Sequence, residues 1–180
     1  TANTYTGYTP PTWTTTGGSW SISGGRLYAA TLSNTEYLNN VIHATQVNIA
    51  SGSWSFDYDY EGGNSSANGC ANSGGANACF EFRFMKSGGD HYAVKLNDDG
   101  GVAEKKLRIL KKISGSETVL SEKTITLGRG IVKIFRIEVS TGGSKYLSID
   151  GVFQSSTSDN VLATSRNIEI AASNQDLSSP

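Results

Sequence analysis

Three carboxylates lie at every second position of the stretch SWSFDYDYE and are the first residues to consider for chemistry. They are Asp57, Asp59 and Glu61. A strand separates positions i and i+2 by roughly 6.5–7 Å, and cleavage of a glycosidic bond uses two carboxyl groups about 5–9.5 Å apart. The same spacing is typical of a solvated acidic strand face. The sequence has two histidines and no G-x-S-x-G turn, so it offers no Ser-His-Asp triad. We predict that the protein is not an enzyme.

Six charged side chains on the polar side of three alternating stretches are the candidate binding residues. They are Asp57, Asp59, Glu81, Arg83, His91 and Lys95. If residues 53–61, 79–86 and 91–97 form neighbouring strands, these side chains make one polar ladder. Opposite charges paired across strands on a solvent face also explain the ladder, at about 0.2–1 kcal/mol per pair. The sequence favours this second explanation.

The two cysteines flank part of a long polar loop over residues 62–78. A zinc site would need about four ligands at close spacing, and these are absent. A disulfide between Cys70 and Cys79 is therefore predicted, worth roughly 2–3 kcal/mol for so short a ring. Asn64 begins an N-S-S glycosylation pattern that also arises by chance. With Thr1 in place of an initiating Met, these features predict a secreted, extracellular or cell-surface protein whose signal peptide has been removed.

The elements that position these residues alternate between apolar and polar side chains almost throughout. In SWSFDYDYE, the apolar residues Trp54, Phe56, Tyr58 and Tyr60 all fall on one face. Turns rich in Gly, Asp and Ser separate the alternating stretches, among them SGGD, NDDGG, SGSE, TGGSK and IDGVF. About a dozen short strands predict one all-β domain over residues 1–180, built as a two-sheet antiparallel β-sandwich.

Composition excludes two classes of partner. Charged residues make up 17% of the chain, the net charge is -1, and no run of Lys and Arg is interleaved with aromatics. Nucleic acid is therefore not an expected partner. No apolar stretch approaches the ~20 residues of a membrane helix, so membrane insertion is not expected.

Two longer patterns resemble a known superfamily. The pattern W-x-x-x-x-G-x-W-x-I-x-x-G-x-L begins at Trp13, and Y-L-x-I-D-G-V begins at Tyr146. These stretches are similar to the concanavalin A-like, laminin-G-like jelly rolls of lectins and glucanases. The resemblance implies a jelly-roll sandwich. It selects no single function, because this fold hosts lectins, glycan-binding modules, glycosidases, lyases and adhesive domains.

The resemblance also implies candidate ligands. It makes the polar ladder a candidate glycan-binding face, where carboxylates and Arg hydrogen-bond sugar hydroxyls. The aromatics left free for contact with a sugar are Trp13, Tyr28, Tyr37 and Tyr146, of which Trp13 lies in a segment resembling a core plug. Members of this fold often bind calcium through Asp and backbone oxygens. Asp98 and Asp99 in LNDDGG form the best acidic turn for this cofactor, although a hairpin explains that turn without an ion.

The end of the chain departs from the family pattern. Similar proteins commonly finish with a strand of the type V-x-F-D-D-V. Here the stretch NIEI is followed by the mostly polar residues AASNQDLSSP, which contain no such strand. Either the strand order differs, or a neighbouring subunit supplies a strand, with residues 1–9 as the donor. We predict self-association into an extracellular filament, with a carbohydrate-binding module as the alternative.

Overall fold

The computed structural model describes residues 13–16, 19–23, 26–31, 41–49, 51–58, 79–98, 104–127, 131–162 and 165–173. Within these ranges the chain forms thirteen strands and no helix, which confirms the all-β prediction. None of the described residues forms a helix long and apolar enough to cross a membrane. The strands are β1 (Trp13–Thr15), β2 (Ser19–Ser23), β3 (Arg26–Thr31), β4 (Val41–Ile49), β5 (Gly52–Tyr58), β6 (Cys79–Ser87), β7 (Asp90–Asp98), β8 (Glu104–Ile113), β9 (Ser116–Thr126), β10 (Lys133–Val139), β11 (Lys145–Ile149), β12 (Val152–Thr157) and β13 (Ser165–Ser173).

Two antiparallel sheets form the sandwich. The larger has seven strands in the order β1-β4-β13-β6-β7-β8-β9, and the smaller has four in the order β12-β11-β10-β5. Strands β2 and β3 pair with each other in a separate two-stranded sheet. The predicted two-sheet sandwich is confirmed.

Alternating apolar residues from the two large sheets meet in one core. Phe56 on β5 stacks against Phe82 of the seven-stranded sheet, with ring centroids 4.8 Å apart. It also stacks against Phe135 of its own sheet at 5.5 Å. Trp54 contacts Phe84 at 5.4 Å. These contacts confirm that the apolar side of SWSFDYDYE faces inward as far as Tyr58, while Tyr60 lies outside the described residues.

Several predicted hairpins are present. The turn SGGD joins β6 to β7 through Gly88 and Gly89, and SGSE joins β8 to β9. In IDGVF, Asp150 and Gly151 both have positive φ, 51° and 76°. This pair of values is typical of the two-residue turns that suit the twist of a hairpin.

The predicted adjacency of the three charged stretches is wrong for one of them. Strands β6 and β7 are neighbours, with Glu81 opposite Lys95. Strand β5 instead pairs with β10 in the four-stranded sheet, with Asp57 opposite Ile134. Alternation fixes which side of a strand is apolar, but it carries no information on which sheet the strand joins.

The stretch NIEI lies inside β13, in the middle of the seven-stranded sheet. β13 pairs with β4 on one side and with β6 on the other. Both ladders of this strand are therefore occupied within the chain. Residues 1–9 lie outside the described residues, so a donated strand stays a prediction.

Candidate functional site

The outer face of the seven-stranded sheet carries most of the predicted binding residues, and we call it the polar face. Its centre is a buried cluster of Glu81 and Arg83 on β6 with His91 and Lys95 on β7. Register places Glu81 opposite Lys95 and Arg83 opposite Ala93. Because side chains alternate along a strand, the neighbouring Phe82 and Val94 point into the core instead.

A β-bulge in β6 adjusts the position of His91. The register between β6 and β7 shifts between Phe84 and Ser87. Within this segment Met85 has a positive φ of 51°, which is unusual for a residue other than Gly. His91 follows the hairpin, and its Nδ1 lies 3.0 Å from the Gly89 carbonyl oxygen. The other ring nitrogen, Nε2, faces Glu81.

Glu81 is the hub of the cluster. Its Oε1 accepts a hydrogen bond from Arg83 Nε at 2.9 Å and lies 3.2 Å from His91 Nε2. Glu81 is 2% exposed, and its second oxygen, Oε2, has no hydrogen-bond partner among the described residues. Buried carboxylate oxygens are normally satisfied, and one that is not calls for an explanation. This vacant acceptor is the feature of the face that points most directly to a ligand.

The electrostatics keep Glu81 ionised. Burial by itself would raise the pKa of Glu81, but the hydrogen bond with His91 and the charges of Arg83 and Lys95 outweigh it and lower the pKa to about 2. Burial would likewise lower the pKa of Arg83, yet Glu81 and Glu169 raise it above its usual value. Glu81 and Arg83 are therefore both charged at neutral pH.

A third strand contributes a residue that the sequence analysis missed. Glu169 on β13 lies opposite Arg83. Its Oε2 accepts from the Arg83 guanidinium at 3.0 Å, and its Oε1 lies 3.0 Å from Lys86 Nζ. The alternation of NIEIAA marks Glu169 as a polar position in an apolar strand. Only the long-range pairing of β13 with β6 brings it to the cluster.

The polar face becomes more accessible toward β8 and β9. Lys95 Nζ donates to Glu117, which is partly exposed. Farther along, Arg108 Nε donates to Glu122 at 2.6 Å, and Lys106 lies 3.8 Å from the same carboxylate. The burial of Arg108 removes part of its charge from water, whereas Glu122 is exposed. The face therefore joins a buried charged centre to an exposed polar rim.

The remaining predicted site residues lie apart from this cluster. Asp57 is exposed on the outer face of the other sheet. Asp59, Asn64 and Cys70 lie outside the described residues, and Cys79 begins β6. The predicted disulfide and glycosylation site therefore stay predictions.

The acidic residues considered for calcium are not gathered into one cluster within the described ranges. They include no group of three or more His, Cys, Asp or Glu side chains that could hold a metal ion. Asp98 ends β7 opposite Lys105, and Asp99 lies outside the described residues. Two other acidic turns are already engaged. Asp150 accepts from the Ile134 amide and from Lys133, and Asp159 accepts from Tyr92 and Lys111.

Comparison with solved structures places the fold. A carbohydrate-binding module, CBM66 from Bacillus subtilis, aligns with a TM-score of 0.62 at 12% identity, over 90% of this chain and 92% of that one. A β-glucanase from Bacillus licheniformis aligns with a TM-score of 0.61 at 13% identity, over 94% and 82%. The fold is a concanavalin A-like β-sandwich. This agrees with the resemblance seen in the sequence.

A third similar structure broadens the comparison. It is the CBM2 module of the evolved Dit protein of Lactobacillus casei BL23 phage J-1. This module aligns with the chain at a TM-score of 0.57 and 15% identity, over 88% of this chain and 73% of that one. No protein-family model and no curated protein sequence matches the chain. At these identities the likeness establishes the fold, and the function has to come from the site.

Proposed function

We propose that this domain is a non-catalytic carbohydrate-binding module that holds a glycan on its polar face. Two of the similar structures described above are carbohydrate-binding modules, and the third is a glucanase. All three share the concanavalin A-like sandwich, so they support glycan recognition as the first function to test. The choice of the polar face rests on the side chains of this chain.

The observation that carries the proposal is the vacant Oε2 atom of Glu81. The carboxylate is ionised and buried, and one of its two oxygens has no partner. It lacks a hydrogen-bond donor among the described residues, and a sugar hydroxyl would supply one once the side chains that cover this buried atom move aside. Beside it, Arg83 and Lys95 can donate to the oxygen of the same hydroxyl or its neighbour. A pair of adjacent sugar hydroxyls matches this mixture of one acceptor and several donors.

The exposed rim would hold the rest of the ligand. Arg108, Lys106 and Glu122 present charged hydrogen-bonding groups on the accessible side of the same face. Hydrogen bonds to charged groups are stronger than those between neutral groups, at about 1.5–3 kcal/mol each. A glycan chain on the rim, with one residue reaching toward Glu81, would use both parts of the face.

Binding is favoured over hydrolysis by the sequence. The glucanase among the similar structures raises the question of catalysis. The E-x-D-x-x-E strand that is typical of one glycosidase family of this fold does not occur in this chain. The pKa of Glu81 is lowered to about 2. A carboxylate that stays ionised at neutral pH suits a fixed hydrogen-bond acceptor rather than a general acid.

We also propose an extracellular or cell-surface location, where polymeric glycans are available. The filament hypothesis has weaker support. Its starting point was an unfilled strand position after NIEI, but β13 pairs on both sides within the described part of the chain. No described contact favours strand exchange over a self-contained module.

The test is a glycan array followed by titration calorimetry with the best ligand. We expect Glu81→Gln to weaken binding about 10–100-fold, because it removes one hydrogen bond to a charged group. Asp150→Asn is the matched control, since it neutralises an exposed carboxylate on the turn between β11 and β12, away from the polar face. Arg108→Gln tests the rim without changing the buried carboxylate. Glycan binding that is unaffected by Glu81→Gln and Arg108→Gln would contradict the proposal.

A further inference from the structure

The outer face of the four-stranded sheet exposes two aromatic rings that the core does not use. Tyr146 on β11 is 44% exposed, and Phe153 on β12 is 60% exposed. Ile134 on β10 is also exposed on this face. We call this surface, centred on Tyr146 and Phe153, the aromatic face. A single exposed aromatic ring needs no explanation, but several that form one continuous surface patch commonly mark a binding site.

Register shows that the two rings are grouped. Ser148 follows Tyr146 by two positions on β11, so both side chains point outward. Phe153 lies opposite Ser148 on the neighbouring strand. Tyr146 and Phe153 are therefore diagonal neighbours across β11 and β12, and a β-bulge lies between Leu147 and Ser148. Two rings in this arrangement on one sheet surface make an extended apolar strip.

The surroundings of the strip are polar but nearly neutral. Ser148 and Ser156 flank the rings, and Ser53 and Ser55 occupy the outer positions on β5. Arg136 lies between Ser55 and Ser148, and its guanidinium donates to Glu138 at 2.7 Å on the same strand. The two formal charges at the centre of the face therefore balance each other. Around the two rings the face carries serine hydroxyls, this ion pair and, on the edge strand β5, the carboxylate of Asp57.

We propose that the aromatic face is a second binding site, which takes the flat C–H face of an extended β-linked polysaccharide. The ring carbons of such a sugar present C–H groups on one side and hydroxyls around the edge. The C–H side would pack on Tyr146 and Phe153, and the edge hydroxyls would meet the serines and the Arg136–Glu138 pair. This site lies on the opposite side of the sandwich from the polar face and does not depend on it.

A glycan fits this surface better than a protein partner does. The centre of a stable protein interface is a continuous apolar area that excludes water. Here serines and an ion pair interrupt the apolar side chains in every direction along the sheet. A polysaccharide tolerates this pattern, because it carries polar and apolar groups at similar spacing.

Co-sedimentation of the full chain with microcrystalline cellulose, chitin and starch granules tests the proposal. We expect retention on cellulose or chitin but not on starch, whose α-linked helix lacks an extended flat face. The double variant Tyr146→Ala/Phe153→Ala should lose retention about tenfold or more, while Tyr146→Phe should keep it. Val119→Ala, a change at a 46% exposed apolar residue on β9 of the seven-stranded sheet, is the matched control and should bind like wild type.

Three outcomes overturn the proposal. The double variant is retained as well as wild type, wild type is retained by neither cellulose nor chitin, or wild type forms dimers that the double variant abolishes in sedimentation velocity. The last outcome would make this face a protein interface. Binding of soluble saccharides at the polar face, measured in the double variant, should persist, so failure at one face is distinguishable from failure at the other.

Discussion

At Glu81 the favourable interactions of the ionised carboxylate outweigh the cost of removing it from water. Burial alone would raise the pKa of this carboxyl group, but its pKa is lowered because His91, Arg83 and Lys95 surround it. Arg83 is shared between Glu81 and Glu169, so neither carboxylate can be removed without changing the other's partner. Such a cluster resists rearrangement, and this is useful in a site that must present a fixed acceptor.

Acid should destabilise the protein partly through this residue. The pKa of Glu81 is about 2 in the folded state and near 4.5 without the cluster. Its contribution to stability is therefore full above pH 4.5 and is lost as the pH falls from 4.5 toward 2. In wild type, this residue lowers the free energy of unfolding by up to about 1.4 kcal/mol for each pH unit of acidification in that window. We expect Glu81→Gln to abolish this part of the pH dependence.

The measurement is urea denaturation at a series of pH values between 2 and 6. Glu138→Gln is the control, since Glu138 is an exposed partner of Arg136 on the other sheet. If wild type and Glu81→Gln lose stability in parallel as the pH falls, the carboxylate is not held in its ionised form as described.

The composition of the buried cluster could be anticipated only in part from the sequence. Alternation in CFEFRF and HYAVKLN grouped Glu81, Arg83, His91 and Lys95 correctly, because β6 and β7 form a local hairpin. Glu169 was missed, since it reaches the cluster through pairing between distant strands. The vacant Oε2 atom could not be anticipated at all, because hydrogen-bond satisfaction depends on side-chain positions.

At the scale of elements, local turns were the easiest features to predict and sheet membership the hardest. SGGD, SGSE and IDGVF specify hairpins through residues that accept positive φ. The placement of β5 depends on pairing with β10, far along the chain, and no turn residue encodes it. The stretch TGGSK, which joins β10 to β11, meets a further constraint. Its Gly143 packs against Asn160, in the loop that follows β12.

The glycine at position 143 is required for two separate reasons. Its φ is 81°, and a Cβ there would lie 2.3 Å from the Asn160 Cβ. Gly115 has a similar φ of 83° with nothing within 4 Å of its added Cβ. We expect Gly115→Ala to cost about 1–2 kcal/mol from backbone strain alone. Gly143→Ala should cost a further 1–3 kcal/mol or so from overpacking.

Chemical denaturation of the two variants measures this difference. Adding Asn160→Gly to Gly143→Ala removes the clashing atom and should bring the loss close to that of Gly115→Ala. Equal destabilisation by Gly143→Ala and Gly115→Ala would mean that the connection between β10 and β11 moves away from Asn160 without cost.

At the scale of the whole molecule, the sandwich presents two chemically different outer surfaces. One is a charged face with a buried centre, and the other carries exposed rings among hydroxyls. The two sheets also contact each other at one side, where Ser121 of β9 hydrogen-bonds Ser155 of β12 and Lys123 donates to Gln154. If both proposed faces bind glycan, their placement on opposite sides of one sandwich suits attachment to an extended polymer.

A self-contained sandwich should also remain a monomer. The strand that raised the question of exchange, β13, has its backbone paired by β4 and β6, so no donor is needed beside it. We expect the purified chain to sediment as a monomer over a wide concentration range. Deleting residues 1–8 should not produce an unstable protein that a peptide of the same sequence restores, because strand complementation requires an empty groove. Filaments under the electron microscope, or rescue by that peptide, would contradict this expectation and return strand exchange to first place.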